Sequence, residues 1–233
     1  TYYAEQVNVD PGDVFTVSIM PCTAKKYEGA REEHRHSGYR DTDAVLTTRE
    51  LARMIKEAGI DFLNLKDDSY DQILGQATGA ATIFGTSGGV TEAALRTVKE
   101  VLTGEPLEKL NLGIMGVREA EVEIADRTYK IGIVSGLANA AKVLDEIKAG
   151  TSEYDWIEIM ACPHGCVGGG GQPITNDLEA KGKRAQGLAS LDQSNTIRKS
   201  HENPDVIRLY EEFLGEPLGG KSHHLLHTSY RVR

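Results

Sequence analysis

The cysteines are the residues of this chain whose type and spacing point most directly to chemistry. All three lie in two short stretches, Cys22 in residues 20–26 (MPCTAKK) and Cys162 with Cys166 in residues 160–173 (MACPHGCVGGGGQP). Each stretch follows a short apolar segment, which predicts that each cysteine lies in a loop at the carboxyl end of a β-strand. Thiolates on tight loops of this kind are a common way to hold an iron–sulfur cluster.

On spacing alone, three kinds of site compete for these thiols. A disulfide between Cys162 and Cys166 is sterically possible, but an odd number of cysteines at low density does not indicate a secreted disulfide framework. Structural zinc sites usually carry Cys-x2-Cys, whereas three residues separate Cys162 from Cys166. An iron–sulfur cluster needs about four thiolates, so one ligand from elsewhere would complete the set.

The neighbours of the cysteines favour the iron–sulfur reading. Met20 and Met160 would provide soft, apolar walls that keep water away from a cluster. The run Gly168 to Gly171 suggests backbone lying very close to a bulky cofactor, where any Cβ would clash. Lys25 and Lys26 would add positive charge beside the thiolates. Together these features predict a redox metal site.

Composition narrows the function classes. The formal net charge of −9 argues against a nucleic-acid or anionic-membrane partner. No apolar run approaches the roughly 18 residues of a membrane span, and no signal peptide opens the chain. We therefore expect no membrane association, a reducing compartment and a cytoplasmic location.

The apolar segments predict the scaffold that positions the loops. Residues 14–20 read as a buried strand that ends at Cys22, and residues 112–117 and 121–124 read as further short strands. Residues 129–134, 137–148 and 156–160 read as a strand, a helix and a strand, which predicts a parallel βαβ unit. Its helix should turn Leu137, Ala140, Ala141, Leu144 and Ile147 inward. In open parallel sheets ligands bind beyond the carboxyl ends of strands, where Cys162 and Cys166 fall.

Two further signals mark helices. Thr47 and Glu50 form a predicted capping box for a helix that stops at Gly59. The apolar stripe of this helix, namely Leu51, Met54, Ile55 and Ala58, is predicted to pack in the core. Residues 85–89 (GTSGG) precede a second helix; the spacing favours a tight turn over an anion-binding loop, since no Lys-Ser or Lys-Thr follows.

The C-terminal part is predicted to be different in character. Residues 176–184 read as an exposed connection, residues 188–195 as a turn and a strand start, and residues 196 onward as one or two helices that include a start at Pro204. The histidines at 34 and 36 and at 223, 224 and 227 are more typical of solvated or packing residues than of a metal site. The predicted fold class is α/β, with twisted, partly parallel sheets flanked by helices and a helical C-terminal segment.

Both cysteine stretches resemble signature motifs of the FeFe (iron-only) hydrogenases. Residues 20–28 resemble the second motif of that family, and residues 160–173 resemble the third. The resemblance extends to residues 43–51 and 84–89, and the tail from Asn203 through His227 resembles the small-subunit segment of the family. It covers nearly the whole chain and implies two domains: residues 1–175 as the C-terminal part of the catalytic domain that binds the H-cluster, and residues 176–233 as a small-subunit-like segment.

The resemblance also implies a cofactor and roles for individual residues. The H-cluster of the family is a 4Fe-4S cubane joined through one cysteine sulfur to a two-iron subsite with CO, CN⁻ and a bridging dithiolate. By motif position, Cys22 and Cys162 resemble cubane ligands, and Cys166 resembles the cysteine that bridges cubane and diiron unit. Lys25 resembles the residue that donates a hydrogen bond to a cyanide, as suits a fixed ammonium group. The residues that resemble the cofactor-binding wall are Met20, Pro21, Phe84, Gly85 and Met160.

The implied activity is reversible reduction of protons to H2, linked to ferredoxin or NAD(P). One departure matters: the first motif of the family, with its Cys-Cys pair, is absent from this sequence. The resemblance places it upstream of Thr1 in the same chain or in a companion subunit that also carries accessory iron–sulfur clusters, so we expect this chain alone to be inactive. His164 also stands where the family commonly has glycine. Of two readings, a hydrogen bond that tunes the cluster and a side chain that faces solvent, we expect the second. The alternative functions are a hydrogenase-like iron–sulfur assembly protein without H2 activity, and a sensory hydrogenase.

Overall fold

The protein is described here by a computed structural model that covers residues 2–35, 38–71, 73–107, 116–177 and 179–230. The chain divides into two compact units. The first comprises Thr1–Gln76, Gly170–Pro173 and Pro204–Arg233, and the second comprises Ala77–Gly169 and Ile174–Asn203.

The first unit is built around a pair of parallel strands. Strand β1 (Val17–Met20) pairs with β2 (Ala44–Thr47), so that Met20 lies opposite Thr47. The α-helices of this unit are α1 (Tyr2–Val7), α2 (Ala24–Gly29), α3 (Thr48–Glu57), α8 (Pro204–Leu209) and α9 (Gly220–Leu226), and a π-helical turn (Tyr210–Leu214) follows α8. Pro204 begins α8 as predicted, because a proline at the first helical position loses no backbone hydrogen bond. The ring of Tyr2 packs on that of Phe213, with centroids 5.1 Å apart.

Two sequence predictions fail in this unit, although the elements themselves are confirmed. The strand before Cys22 is not buried, since Val17 and Ile19 are 45% and 51% exposed. The capping box of α3 is present, with Thr47 accepting from the Glu50 N–H. Its apolar stripe is not a core face, however, because Met54 is 52% exposed and α3 has no buried residue. A two-stranded sheet covers few side chains, and most buried apolar residues of the described chain lie in the second unit.

The second unit is a three-stranded sheet covered by helices. Strand β3 (Val117–Ile124) pairs antiparallel with β4 (Arg127–Ser135), and β4 pairs parallel with β5 (Trp156–Met160). The α-helices are α4 (Gly79–Ile83), α5 (Gly89–Thr103), α6 (Leu137–Ala149) and α7 (Ala180–Ser194). The predicted βαβ unit is confirmed as β4, α6 and β5.

The side chains of β4 point to alternate faces of the sheet and belong to two apolar clusters. Ile131 and Ile133 pack with Leu95 of α5, whereas Val134 packs with Ala140 and Val143 of α6. Successive side chains of a strand point to opposite faces, so this pattern places helices on both faces of the sheet. The predicted inward face of α6 is confirmed only for Ala140. Leu137, Leu144 and Ile147 are at least 44% exposed, and Ala141 is exposed as well.

Other boundary predictions also need correction. Residues 117–124 form one continuous strand, whereas two separate strands were predicted at 112–117 and 121–124. Residues 112–115 lie outside the described residues. The predicted exposed connection (176–184) and turn with strand start (188–195) are largely replaced by α7. This segment is rich in Ala, Leu, Lys, Arg and Gln, whose helix propensity outweighs the cost of its two glycines.

Candidate metal centre

Cys22 lies in a loop of the first unit that is held by a close backbone approach. It follows β1 and precedes α2, and it is half-buried. The Gly171 N–H donates to the Pro21 carbonyl at 3.0 Å, and a Cβ on Gly171 would come within 2.9 Å of the Pro21 carbonyl carbon and 3.0 Å of the Cys22 nitrogen. The sequence had suggested that a bulky cofactor requires these glycines. At Gly171 the requirement comes instead from the backbone of the Cys22 loop.

Two adjacent lysines after Cys22 have different surroundings. Lys25 and Met20 line one cavity of about 200 Å³ together with Glu28, whose carboxylate lies 2.6 Å from the Lys25 ammonium. Lys26 turns to α3, where its ammonium lies 2.9 Å from Glu50 and donates to the Val45 carbonyl. The cavity therefore has Lys25 as its cation, and Lys26 stabilises the helix cap.

The capping carboxylate is strongly acidic. Hydrogen bonds from the Thr47 N–H, the Lys26 ammonium and the Thr47 hydroxyl lower the pKa of Glu50 to about 2. Glu50 is therefore ionised over the physiological range, as a reciprocal capping box requires.

In the second unit, the loop of Cys162 and Cys166 is fastened to the turn after α4. The Val167 N–H donates to the Gly85 carbonyl at 3.0 Å, and the Ser87 N–H donates to the His164 carbonyl at 3.2 Å. Gly165 has φ +83°, and a Cβ there would lie 2.6 Å from the Ser87 nitrogen. The backbone hydrogen bond thus places Gly85 beside Val167, the residue after Cys166, and the preceding Phe84 is 45% exposed.

The glycine-rich turn before α5 binds a carboxylate of the protein itself. Glu158 on β5 is 7% exposed and accepts from the backbone N–H groups of Gly88 at 2.5 Å and Thr91 at 2.8 Å. A helix N-terminus favours a negative charge, and here that charge is internal. The predicted tight turn is present as well, because a Cβ on Gly89 would lie 1.8 Å from the Ile83 carbonyl oxygen. Sequence reasoning missed Glu158, which no local pattern links to residues 88–91.

A half-buried arginine adjoins this turn. Arg118 donates to the Ser87 hydroxyl at 2.8 Å. Burial lowers the pKa of its guanidinium, and the nearby Glu158 carboxylate opposes that shift. The turn that contacts the Cys166 loop is therefore held by charged groups on β3 and β5.

The donor set and its surroundings fit an iron–sulfur cluster. Cys22 and Cys162 carry free thiols, so Cys162 is not joined to Cys166 in a disulfide. All three cysteines are half-buried; Cys22 and Cys162 lie in loops directly after β1 and β5, and Cys166 begins a short 3-10 helix (Cys166–Gly168). The Nδ1 atom of His164, between Cys162 and Cys166, is buried and has no hydrogen-bond partner among the described residues. An orphaned ring nitrogen of this kind indicates a group missing from the protein atoms alone.

The remaining histidines form no comparable site in the described part of the chain. His34 packs edge-on against Tyr230, and the rings of His223 and His227 stack with centroids 4.7 Å apart. His36 lies outside the described residues. Glu100, His201 and Glu202 do lie close enough to hold a metal ion, but the Lys199 ammonium pairs with both carboxylates.

Comparison with known sequences identifies the family. The profile of the iron-only hydrogenase large subunit, C-terminal domain, matches residues 1–170. The chain belongs to this family. The profile of the iron hydrogenase small subunit matches residues 178–233. The family resemblance of the two cysteine motifs is thereby confirmed.

Curated members of the iron-only hydrogenase family match over the whole chain. The NADP-reducing hydrogenase subunit HndD of Solidesulfovibrio fructosivorans is 50% identical over 238 residues, which cover 100% of this chain and 40% of the relative. Iron hydrogenase 1 of Clostridium pasteurianum is 43% identical over 240 residues, which cover 99% of this chain and 42% of the relative. The chain thus spans less than half the length of these relatives.

A solved structure confirms the predicted fold class. A variant of the apo FeFe-hydrogenase HydA1 from Chlamydomonas reinhardtii matches with a TM-score of 0.85 at 39% identity, covering 99% of this chain and 66% of that one. The α/β architecture, with mixed sheets flanked by helices, is therefore that of the H-cluster domain of FeFe hydrogenases. Among the described residues, no helix combines the length and apolar character that a membrane span requires.

A more distant relative has a different role. The cytosolic Fe-S cluster assembly factor narfl of Xenopus tropicalis is 27% identical over 245 residues, which cover 100% of this chain and 50% of the relative. The sequence similarity along this chain therefore extends to proteins named as hydrogenases and to one named as an assembly factor, and the identity is higher to the hydrogenases.

Proposed function

We propose that this chain is the cluster-binding part of an iron-only hydrogenase catalytic domain, and that the complete protein reversibly reduces protons to H2. The observation that carries the proposal is the surroundings of Lys25. Its ammonium shares a cavity with Met20 close to Cys22 in sequence, whereas the neighbouring Lys26 is used by a helix cap. Both lysines are ion-paired, Lys25 with Glu28 at 2.6 Å and Lys26 with Glu50 at 2.9 Å. An ammonium group whose side chain lines a cavity beside a methionine suits an anionic ligand of a metal.

In this proposal the three cysteines hold the iron. Cys22 and Cys162 are ligands of a 4Fe-4S cubane, and Cys166 binds the cubane and joins it to a two-iron subsite. When bound, the H-cluster supplies the redox chemistry that converts protons and electrons to H2. The fourth cubane ligand comes from the missing first motif, in the same chain or a companion subunit, and the isolated chain is inactive without it.

The other residues of the site hold and shield the cofactor. Lys25 donates to a cyanide ligand, and Glu28, 2.6 Å from its ammonium, orients that group. Met20 and Met160 form apolar walls, together with Pro21, Phe84 and Gly85. The hydrogen bond from Val167 to Gly85 supports this role for the turn, since it ties the turn to the residue after Cys166.

The domain division, partners and location are parts of the same proposal. Residues 1–175 would serve as the catalytic part and residues 176–233 as the small-subunit-like segment. Electrons would pass between the cluster and a ferredoxin or an NAD(P)-linked subunit; the relative named as an NADP-reducing hydrogenase subunit supports the second of these. We place the protein in the cytoplasm because its cysteines suit a reducing compartment, although one similar enzyme is named as periplasmic.

The second candidate function is iron–sulfur cluster assembly without H2 activity. The similarity to the assembly factor narfl favours it, because it extends along the whole chain. Identities of 50% and 43% to hydrogenases support the enzyme more strongly. A sensory hydrogenase would differ at the proton relay, which belongs to the missing first motif.

Infrared spectroscopy tests the proposal on the protein that carries this chain together with the first motif, after treatment with the maturation enzymes. Bands from iron-bound CO and CN⁻, together with H2 evolution, are expected. Lys25→Ala should shift or remove a CN⁻ band, and Lys26→Ala is the matched control that should leave the bands in place. A preparation with cubane absorption, no such bands and no H2 evolution would overturn the proposal in favour of the assembly function.

A further inference from the structure

His164 has a backbone conformation that side chains seldom adopt. Its φ is +73°, in the left-handed region that favours glycine. Its N–H donates to the Ser135 hydroxyl at 3.1 Å, and its carbonyl accepts from the Ser87 N–H at 3.2 Å. The backbone is thus held from both sides in a conformation that glycine would adopt without strain, and yet the residue is histidine.

The side chain of His164 carries a second unexplained feature. Its Nδ1 atom is buried and has no hydrogen-bond partner among the described residues. The expectation that this side chain faces solvent was therefore wrong for Nδ1. Buried ring nitrogens are almost always paired, so a strained residue that also carries an unpaired nitrogen calls for a partner beyond the protein atoms.

The position of His164 in the loop suggests that partner. It lies two residues after Cys162 and two before Cys166, which the proposed function assigns to an iron–sulfur cluster. Cluster sulfurs accept hydrogen bonds, and such bonds raise the reduction potential because they stabilise the added negative charge. We infer that the His164 ring donates a hydrogen bond from Nδ1–H to a sulfur of this cluster and raises its potential. The inference rests on the proposed function.

The test uses this chain reconstituted with iron, sulfide and a small thiol in place of the fourth ligand. His164→Gly removes both the donor and the strain, and His164→Ala removes the donor but keeps a Cβ. The matched control is Ala125→Gly, because Ala125 also has a positive φ, +53°, in the turn between β3 and β4, away from the cysteines. All variants are compared by redox titration of the electron paramagnetic resonance signal of the reduced cluster.

Both His164 variants are expected to lower the midpoint potential. At the midpoint of the parent chain, the ratio of reduced to oxidised cluster should fall at least threefold, which is a shift of about 28 mV at 59 mV per tenfold for one electron. In the parent chain labelled with 15N-histidine, a nitrogen hyperfine coupling to the cluster should appear, and it should vanish in His164→Ala. Ala125→Gly should change neither observable.

Three results would overturn the inference: equal midpoints in the parent and both His164 variants, a 15N coupling that persists in His164→Ala, or an equal shift in Ala125→Gly. If His164→Gly fails to assemble a cluster, the midpoint potential of His164→Ala is compared with that of the parent chain instead. Failure of the parent chain to form any cubane signal with the added thiol would count against the proposed function instead.

Discussion

Asp192→Asn addresses the buried ion pair that joins the helices of the second unit. Asp192 on α7 is 3% exposed, and its two oxygens each accept from Arg96 of α5 at 2.8 Å. Arg198 donates to the same carboxylate at 2.6 Å. Helix α4 approaches closely, because a Cβ on Gly79 would lie 2.1 Å from Asp192 Oδ1. Helix α4 leads directly into the turn that contacts the Cys166 loop.

The cost of this substitution follows from burial. Asparagine offers one acceptor oxygen instead of two and no charge. Arg96, 8% exposed, then keeps a buried positive charge whose remaining carboxylate partner among the described residues is Glu92. Arg198 has a half-exposed side chain and is resolvated. Breaking a buried ion pair costs about 3 to 5 kcal/mol. With a urea dependence of about 2 kcal/mol per molar, the unfolding midpoint should fall by about 2 M.

The assay is urea unfolding of the second unit, followed by the fluorescence of Trp156, the single tryptophan of the chain. The matched control is Asp177→Asn, whose exposed partner Lys183 lies 3.0 Å away; it should cost about 0 to 1 kcal/mol. If Asp192→Asn lowers the midpoint no more than Asp177→Asn, the assignment of the ion pair as a main stabilising contact is refuted.

The same residue predicts a pH dependence. Burial acts to raise the pKa of Asp192, but the hydrogen bonds from Arg96 and Arg198 outweigh it and hold the pKa below its usual value. A lowered pKa adds stability that is fully present above the unfolded value of about 4 and is lost as the pH falls through the folded value. In Asp192→Asn the free energy of unfolding should therefore fall less steeply as the pH is lowered than it does in the parent chain. Urea unfolding followed by the same fluorescence at pH 2 to 6 measures this difference.

Three further predictions concern the cysteine loops and their supports. The Glu50 carboxyl should titrate near pH 2, so the stability it adds to α3 is present above about pH 4.5 and is lost progressively as the pH falls toward 2. An NMR titration of this group at an ordinary carboxyl value would contradict the capping geometry. Gly171→Ala should displace the Cys22 loop and reduce iron retention, whereas Gly182→Ala, which meets no atom within 4 Å, should not. Without an added thiol this chain should bind a four-iron cluster in less than stoichiometric amounts, because it has three cysteines and such a cluster needs about four ligands. Iron and sulfide analysis measures the bound amount. Tight stoichiometric binding would count against a missing fourth ligand.

Some of this architecture followed from local patterns. The capping box at Thr47 and Glu50 was predictable because both partners lie within one helical turn. Strand β5 has the predicted bounds because its apolar run is short and is ended by the Cys162 loop. Helix α7 was missed because its glycines suggested a loop, whereas its propensity and its contacts with Arg96 favour a helix.

What the sequence determined by itself was the family and the residues that can do chemistry. Thiols, methionines and lysines are identified by type and spacing alone, and two long motifs in order are specific enough to name the iron-only hydrogenases. Tertiary structure decided how those loops are supported: that Lys25 rather than Lys26 lines the cavity, that Glu158 occupies the turn before α5, and that His164 keeps a buried, unpaired nitrogen. These features depend on contacts between residues far apart in the chain, such as Gly88 and Glu158, 70 positions apart, which no local periodicity encodes.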